Sequence, residues 1–185
     1  MKPKTDSIYF KGIIHNRSDS NDLLFNPGDL VIVKRGIERL IILRCPCGCG
    51  DDLLINLDKR AGKAWRLYSK FKSYTLYPSY WRDNGCHSHF ILWDNKIYWF
   101  GRDIESNECI AVSKQIENKI LEVLKEDEFT HYLDLADECG LDPWECLQAC
   151  KQISKKGLCK AKKGKYKEYF KKTNPKSRKS SFKSE

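Results

Sequence analysis

Residues 44–52 read Arg-Cys-Pro-Cys-Gly-Cys-Gly-Asp-Asp (RCPCGCGDD) and set three thiols, Cys45, Cys47 and Cys49, on alternate positions. Cysteines that close cannot pair comfortably with one another, and the chain holds nine in all, an odd number. A reducing compartment further disfavours a disulfide framework, so metal binding leads. A tetrahedral site needs ligands from more than one segment. The second segment is Asn84-Gly-Cys-His-Ser-His89, where a turn precedes Cys86 and His89 follows three positions on. Two thiolates of the loop with Cys86 and His89 make a Cys3His set; sulfur with imidazole favours Zn²⁺ over Mg²⁺ or Ca²⁺. The favoured ligands are Cys47, Cys49, Cys86 and His89, with Cys45 as the substitute thiol and His87 as the lesser alternative to His89. Gly48 and Gly50 free the backbone to aim the thiolates at one point.

Outward from the loop the pattern is strand-like. DLVIVKRG and IERLIILRC are β-branched runs joined at Arg35-Gly36. LLINL, AWRLYSKF and SYTLYPSYW follow, and HFILW and KIYWF flank Asp94-Asn95, a hairpin signal. Trp65, Trp81, Trp93 and Trp99 read as core at strand spacing, with a stacking surface for single strands as the lesser alternative. From Ser113 the period becomes helical. SKQIENKILEVLKEDE carries Ile116, Ile120, Val123 and Leu124 on one stripe with Ser113 as N-cap. HYLDLADECG ends at Gly140, and LDPWECLQACKQISKKG starts with Asp142 as cap and Pro143 at the first helical position. Trp144, Leu147, Cys150 and Ile153 form its expected buried stripe, and LCKAKKGKYKEYF offers two strands around Lys163-Gly164. The expected fold is α+β: a zinc-stapled, mostly β domain over 1–108, a winged helix-turn-helix over 113–170, and a basic disordered tail over 171–185.

Charge separates along the same lines. Residues 1–110 carry 17 Lys/Arg against 13 Asp/Glu, residues 111–160 carry 7 against 10, and residues 161–185 carry 10 against 2. Most of the +9 excess therefore lies in the last 25 residues. Lys160, Lys162, Lys163, Lys165 and Lys167, with the tail, are the candidate phosphate contacts if the partner is nucleic acid. The helix in the recognition position, DPWECLQACKQISKK, is basic only at its C-terminal end, which argues for protein contacts first. No segment approaches the ~18 apolar residues that span a bilayer, and the N-terminus lacks a signal-peptide pattern. A soluble, cytoplasmic protein is expected, without a membrane partner.

Catalytic signatures are sparse. HSH lacks the Glu of a zinc deaminase, PCGC has the wrong thiol spacing, and no H-E-x-x-H occurs. Asp51 and Asp52 read as a solvated turn, and a spare Cys45 has no evident base beside it. The site reads as structural, without a catalytic centre of its own. Cys139, Cys146, Cys150 and Cys159 invite a second metal site, but Cys146 and Cys150 interleave with apolar positions and read as small core filler. Cys109 reads as a lone thiol in the linker.

Taken in order, Cys45–Gly50, Trp65, Thr75, Leu76, Pro78, Ser79, Trp81, Gly85, Cys86, Ser88, His89, Phe90 and Trp99 fit the pattern C-P-C-G-C-G … W … T-L-x-P-S-x-W … G-C-x-S-H-F … x-I-x-W. Over about residues 25–102 the chain resembles a bacterial family of unknown function inferred to bind metal. Its genes often stand beside ubiquitin-like conjugation genes of the E1, E2 and deubiquitinase type, some linked to phage defence. The resemblance implies an accessory, adaptor or ligase-like role in such a system, with an E1/E2-like or ubiquitin-like protein as partner. A nucleic-acid-binding winged helix is the alternative.

Overall fold

The computed structural model describes residues 2–101, 112–162 and 168–173. The chain divides into two compact units, Met1–Asn107 and Glu108–Glu185. Both helices and sheets are present, so the α+β class holds, with the sheets concentrated in the first unit.

The first unit is built on a four-stranded sheet of β1 (Tyr9–Ile14), β2 (Asp29–Arg35), β3 (Ile37–Arg44) and β4 (Asp52–Asn56), in that order. β1 runs parallel to β2, and the other pairings are antiparallel. β2 is unbrokenly apolar from Leu30 to Val33, the part of it that is covered on both faces. Leu30 and Ile32 join Ile41, Leu43, Leu53 and Ile55 in the main core, while Val31 and Val33 meet Ile14, Leu24 and Ile42 on the other side. The main core is closed by a hairpin of β5 (Arg66–Lys70) and β6 (Ser73–Tyr77), and by a sheet of β7 (Tyr80–Trp81), β8 (His89–Trp93) and β9 (Lys96–Trp99). Leu76, Phe90, Leu92, Ile97 and Trp99 fill it, with Phe90 and Trp99 edge to face at 5.5 Å. Burying a side chain of the size of Phe90 contributes about 1.5–3 kcal/mol. Asp94 and Asn95 both take positive φ, as an Asx-rich hairpin turn between β8 and β9 requires.

Strand β1 was not among the expected elements. It belongs to an N-terminal arm that threads the whole unit. Lys2 N–H donates to Gly48 O at 3.3 Å and Thr5 N–H to Pro46 O at 2.9 Å; further on, Ile8 N–H reaches Asn95 O and Ile97 N–H reaches Asp6 O, both at 2.8 Å. Asp6 also accepts from the Trp99 indole at 2.9 Å, and the Lys4 ammonium sits 3.6 Å above the Trp99 ring. The arm thus pins the cysteine loop at one end and covers the outer edge of β9 at the other.

The second unit runs α1 (Lys114–Val123), β10 (Thr130–His131), α2 (Tyr132–Cys139), α3 (Pro143–Lys155), β11 (Cys159–Ala161) and β12 (Tyr169–Lys172). Its sheet has the order β10-β12-β11, all antiparallel. The expected caps are in place: Ser113 accepts from Ile116 N–H, Asp142 from Glu145 N–H, and Gly140 closes α2 in the left-handed region. The α3 stripe is broader than expected, because Cys146 and Ala149 are fully buried beside Leu147, Cys150 and Ile153, while Trp144 is only half-buried. Glu117 also points inward from α1, where the Lys156 ammonium meets its carboxylate at 2.5–2.6 Å. Lys171 and Lys172, expected to begin the disordered tail, are instead part of β12, paired with β11. Residues 163–167, the linker residue Cys109 and residues 174–185 lie outside the described residues.

A four-thiol centre as the candidate functional site

The loop between β3 and β4 is a tight reversal. Gly48 N–H donates to Cys45 O at 3.1 Å and Cys45 N–H to Asp51 O at 2.8 Å, so the chain turns back on itself within seven residues. Gly48 and Gly50 hold φ of 85° and 93°, which L side chains rarely adopt. These two turns swing all three thiols of the loop to one side. Opposite them, the turn between β7 and β8 is closed by Arg82 N–H donating to Ser88 O at 2.9 Å, and it presents Cys86.

The Sγ atoms of Cys45, Cys47, Cys49 and Cys86 all lie within 4.8 Å of one another. Cys45 Sγ is 3.3 Å from Cys47 Sγ and 3.6 Å from Cys86 Sγ, far too long for a disulfide. A tetrahedron of Zn–S bonds of about 2.3 Å sets sulfurs ~3.8 Å apart, so the thiols stand at nearly the spacing such an ion requires. The donor set can hold a metal ion and, with four ligands, would leave it no open position.

The expected ligand set and the observed group differ at one member. All three loop thiols converge with Cys86, so Cys45 is a full member, and His89 is not in the group. The reason is strand parity. The Ser88 hydroxyl points at the thiols, 3.1 Å from Cys86 Sγ and 3.4 Å from Cys45 Sγ, so position 89 faces the other side. There the His89 ring stacks on Phe100, with centroids 3.6 Å apart and planes 8° from parallel, and on Trp81 at 5.8 Å. His87, the lesser alternative, is exposed at positive φ.

The Arg82 guanidinium ties the two loops together. Its Nη1 lies 2.8 Å from Asp51 Oδ2 and 3.5 Å from Cys86 Sγ, and the Asp51 carboxylate keeps its pKa well above the ordinary arginine range. A positive group here offsets the charge that four thiolates leave in excess of a divalent ion. Burial alone would raise the Cys86 pKa, but hydrogen bonds from the Ser88 side chain and backbone and from the Cys47 and Cys45 thiols hold it down to about 6. Burial pushes Cys45 well above the usual thiol range and raises Cys49 as well. Sequence reasoning missed Arg82 and Ser88. The signal was weak: both lie within four residues of Cys86, and nothing in their type marks them as support for a metal.

The remaining candidates separate clearly. Cys139, Cys146, Cys150 and Cys159 are buried, and the thiols of Cys139, Cys146 and Cys159 point to the backbone oxygens of Lys119, Tyr132 and Cys150. Among the described residues they form no metal group. Lys160 and Lys162 are exposed, and Lys162 Nζ lies 5.8 Å from the Phe129 and Tyr169 rings. Lys163, Lys165 and Lys167 lie outside the described residues. Among the described residues no helix is long and apolar enough to cross a membrane.

Residues 16–100 match a family model described as "Bacterial ubiquitination-like system serine protease (BubE)". The match covers less than half of the chain, includes both loops of the thiol centre, and leaves out the second unit. It associates the first unit with a bacterial ubiquitination-like system. No curated protein and no solved structure matches the chain significantly.

Proposed function

We propose that the protein is a peptidase of a bacterial ubiquitin-like conjugation system, acting on the ubiquitin-like protein or its conjugates, with a structural Zn²⁺ held by Cys45, Cys47, Cys49 and Cys86. The observation that carries this reading is the family match across residues 16–100, whose description names a serine protease. Zinc is favoured by the all-sulfur donor set. Its work there is mechanical, holding the β3–β4 and β7–β8 loops together. The test incubates the purified, metal-loaded chain with the ubiquitin-like precursor of a bacterial conjugation system and follows cleavage by intact-mass spectrometry. New C-termini that vanish after treatment with a serine-directed inhibitor support the proposal. A precursor left whole by folded, metal-loaded protein refutes it.

The closed four-thiol set favours a second reading, an accessory or ligase-like adaptor, since a metal so enclosed has no position for substrate. The second unit fits either role. Its order α1–β10–α2–α3–β11–β12, with β12 between the other two strands, supports a winged helix as a cytoplasmic docking module for an E1- or E2-like partner. A role in phage defence would follow from the system served. Co-purification with E1- and E2-like proteins without precursor cleavage would favour the adaptor. The nucleic-acid alternative rests on Lys160, Lys162 and the basic segments beyond them, and predicts binding that falls steeply with salt.

A further inference from the structure

Within the matched stretch there are six serines and two histidines, so a serine peptidase centred there has few residues to draw on. Four serines are committed or remote. Ser20 donates to Arg17 O, Ser18 to Asp19, and Ser73 to Asp94. Ser69 pairs with Tyr74 on the β5–β6 hairpin. Ser88 is 4% exposed and its hydroxyl is engaged by two thiols of the metal centre, which leaves it unable to reach a substrate. Ser79 remains.

Its place in the sheet is particular. Arg82 N–H donates to Ser88 O, so Tyr80 and Phe90 form the next hydrogen-bonded pair, and Trp81 and His89 form the non-hydrogen-bonded pair between them. Trp81 and His89 stack on the face turned away from the core, where Tyr80 packs on Phe90. Ser79 directly precedes β7, with its backbone oxygen accepting from the Trp65 indole at 3.3 Å. The alternation of β7 carried one residue back gives position 79 the outer face, diagonal to His89, where such neighbours stand ~7–8 Å apart, within reach of a histidine side chain. His89 is held between Trp81 and Phe100, both uncharged, and burial among them lowers its pKa. A ring so held is the neutral base at pH 7. The third feature is the strand edge. β7 ends its sheet, and in a non-hydrogen-bonded pair the N–H and C=O of Trp81 turn outward, as the C=O of His89 does on the far side to accept from Phe100 N–H at 3.1 Å. That edge can accept an extended peptide as an added strand.

We propose that Ser79 and His89 are the nucleophile and base of this peptidase, with an extended polypeptide tail laid along β7; the assignment rests on the peptidase reading above. Ser79 Oγ bonds to the scissile carbonyl carbon while its proton passes to the His89 ring. The C–N bond then breaks and the imidazolium returns the proton to the leaving amine. Water cleaves the acyl-serine by the same route, and the serine is restored.

The test labels the full chain with a fluorophosphonate and maps the modified residue by peptide mass spectrometry, with Ser79→Ala, His89→Ala and the exposed Ser69→Ala in parallel. The expected result is a label on Ser79 in the wild-type chain, absent from Ser79→Ala and unchanged in Ser69→Ala. In His89→Ala the labelling slows by about 10²–10⁴-fold. Mapping on the wild-type chain stands even where a variant fails to fold. A label on any other serine overturns the Ser79–His89 pair and leaves the peptidase reading in place. No label on the folded, metal-loaded wild-type chain overturns both.

Discussion

Gly48 and Gly50 offer a matched pair for measuring how firmly the N-terminal arm holds the thiol loop. Both sit at positive φ, so alanine at either costs about 1–2 kcal/mol of backbone strain, partly offset by ~0.4–1 kcal/mol from a stiffer unfolded chain. Their surroundings differ. A Cβ on Gly50 meets nothing within 4 Å, whereas one on Gly48 would lie 2.0 Å from Lys2 O, a backbone atom. The arm must then lift, and the bonds from Lys2 N–H to Gly48 O and from Thr5 N–H to Pro46 O are lost or weakened, at about 1 kcal/mol each. Gly50→Ala should therefore cost ~0.5–1.5 kcal/mol and Gly48→Ala about 1–2 kcal/mol more. Urea unfolding followed by tryptophan fluorescence, at fixed free zinc, reads both values. Repeating the pair in a chain lacking residues 1–5 completes a double-mutant cycle, in which the excess at Gly48 should vanish. Equal costs in the intact chain, or an excess that survives removal of the arm, would refute the packing described.

Serine in place of Cys45, Cys47, Cys49 or Cys86 should drop bound zinc well below one per chain by atomic spectroscopy, because each removes one of four ligands. Structural zinc contributes on the order of 10 kcal/mol, so these variants should unfold the first unit, while Cys146→Ser should keep its zinc. Acid should release the metal as well: protons compete with the ion for the four thiolates, so metal loss, followed with a chromogenic zinc indicator, should speed up as pH falls. If His89 is the base, it must be deprotonated to act. Because its pKa lies below the ordinary 6.5, peptidase activity should persist below that pH before it falls; a midpoint above 6.5 would count against the assignment. In the second unit, Lys156→Met strands the buried Glu117 carboxylate and should cost about 1–3 kcal/mol, recovered in part by Glu117→Gln in the same chain. Thermal melts of the single and double variants check this.

Much of the first unit was legible because its signals are local. The continuous apolar, β-branched runs within 29–35 and 37–44, and Asp94-Asn95 between aromatic strands, each name their own structure. The helix caps at Ser113, Asp142 and Gly140 are equally local. What could not be read were features fixed by distant partners. β1 is a strand only because β2 lies parallel beside it, and parallel pairing leaves no turn in the sequence. The ligand set was half readable: the clustering of Cys45, Cys47 and Cys49 and their partnership with Cys86 stood out. The exclusion of His89 follows from which face of β8 looks at the loop, and the spacing of Cys86 and His89 alone carries no such information. Nothing near Glu117 in the sequence marks it as buried, because its partner, Lys156, lies beyond two further helices.

The arm also sets an order of events. Asp6 meets Trp99 across 93 positions, and Ile8 meets Asn95, so this part of the arm finds its place only when the last strand of the unit exists. At 5–20 residues per second, the ribosome holds that opening for ~5–20 s. Until then residues 6–8 of the arm have no strand to pair with, and for most of that interval the thiol loop lacks Cys86, the fourth member of its group. A nascent chain of this protein would therefore be most exposed to wrong pairing and to stray metals in the interval before residue 99 emerges, and chaperone contact should be densest there.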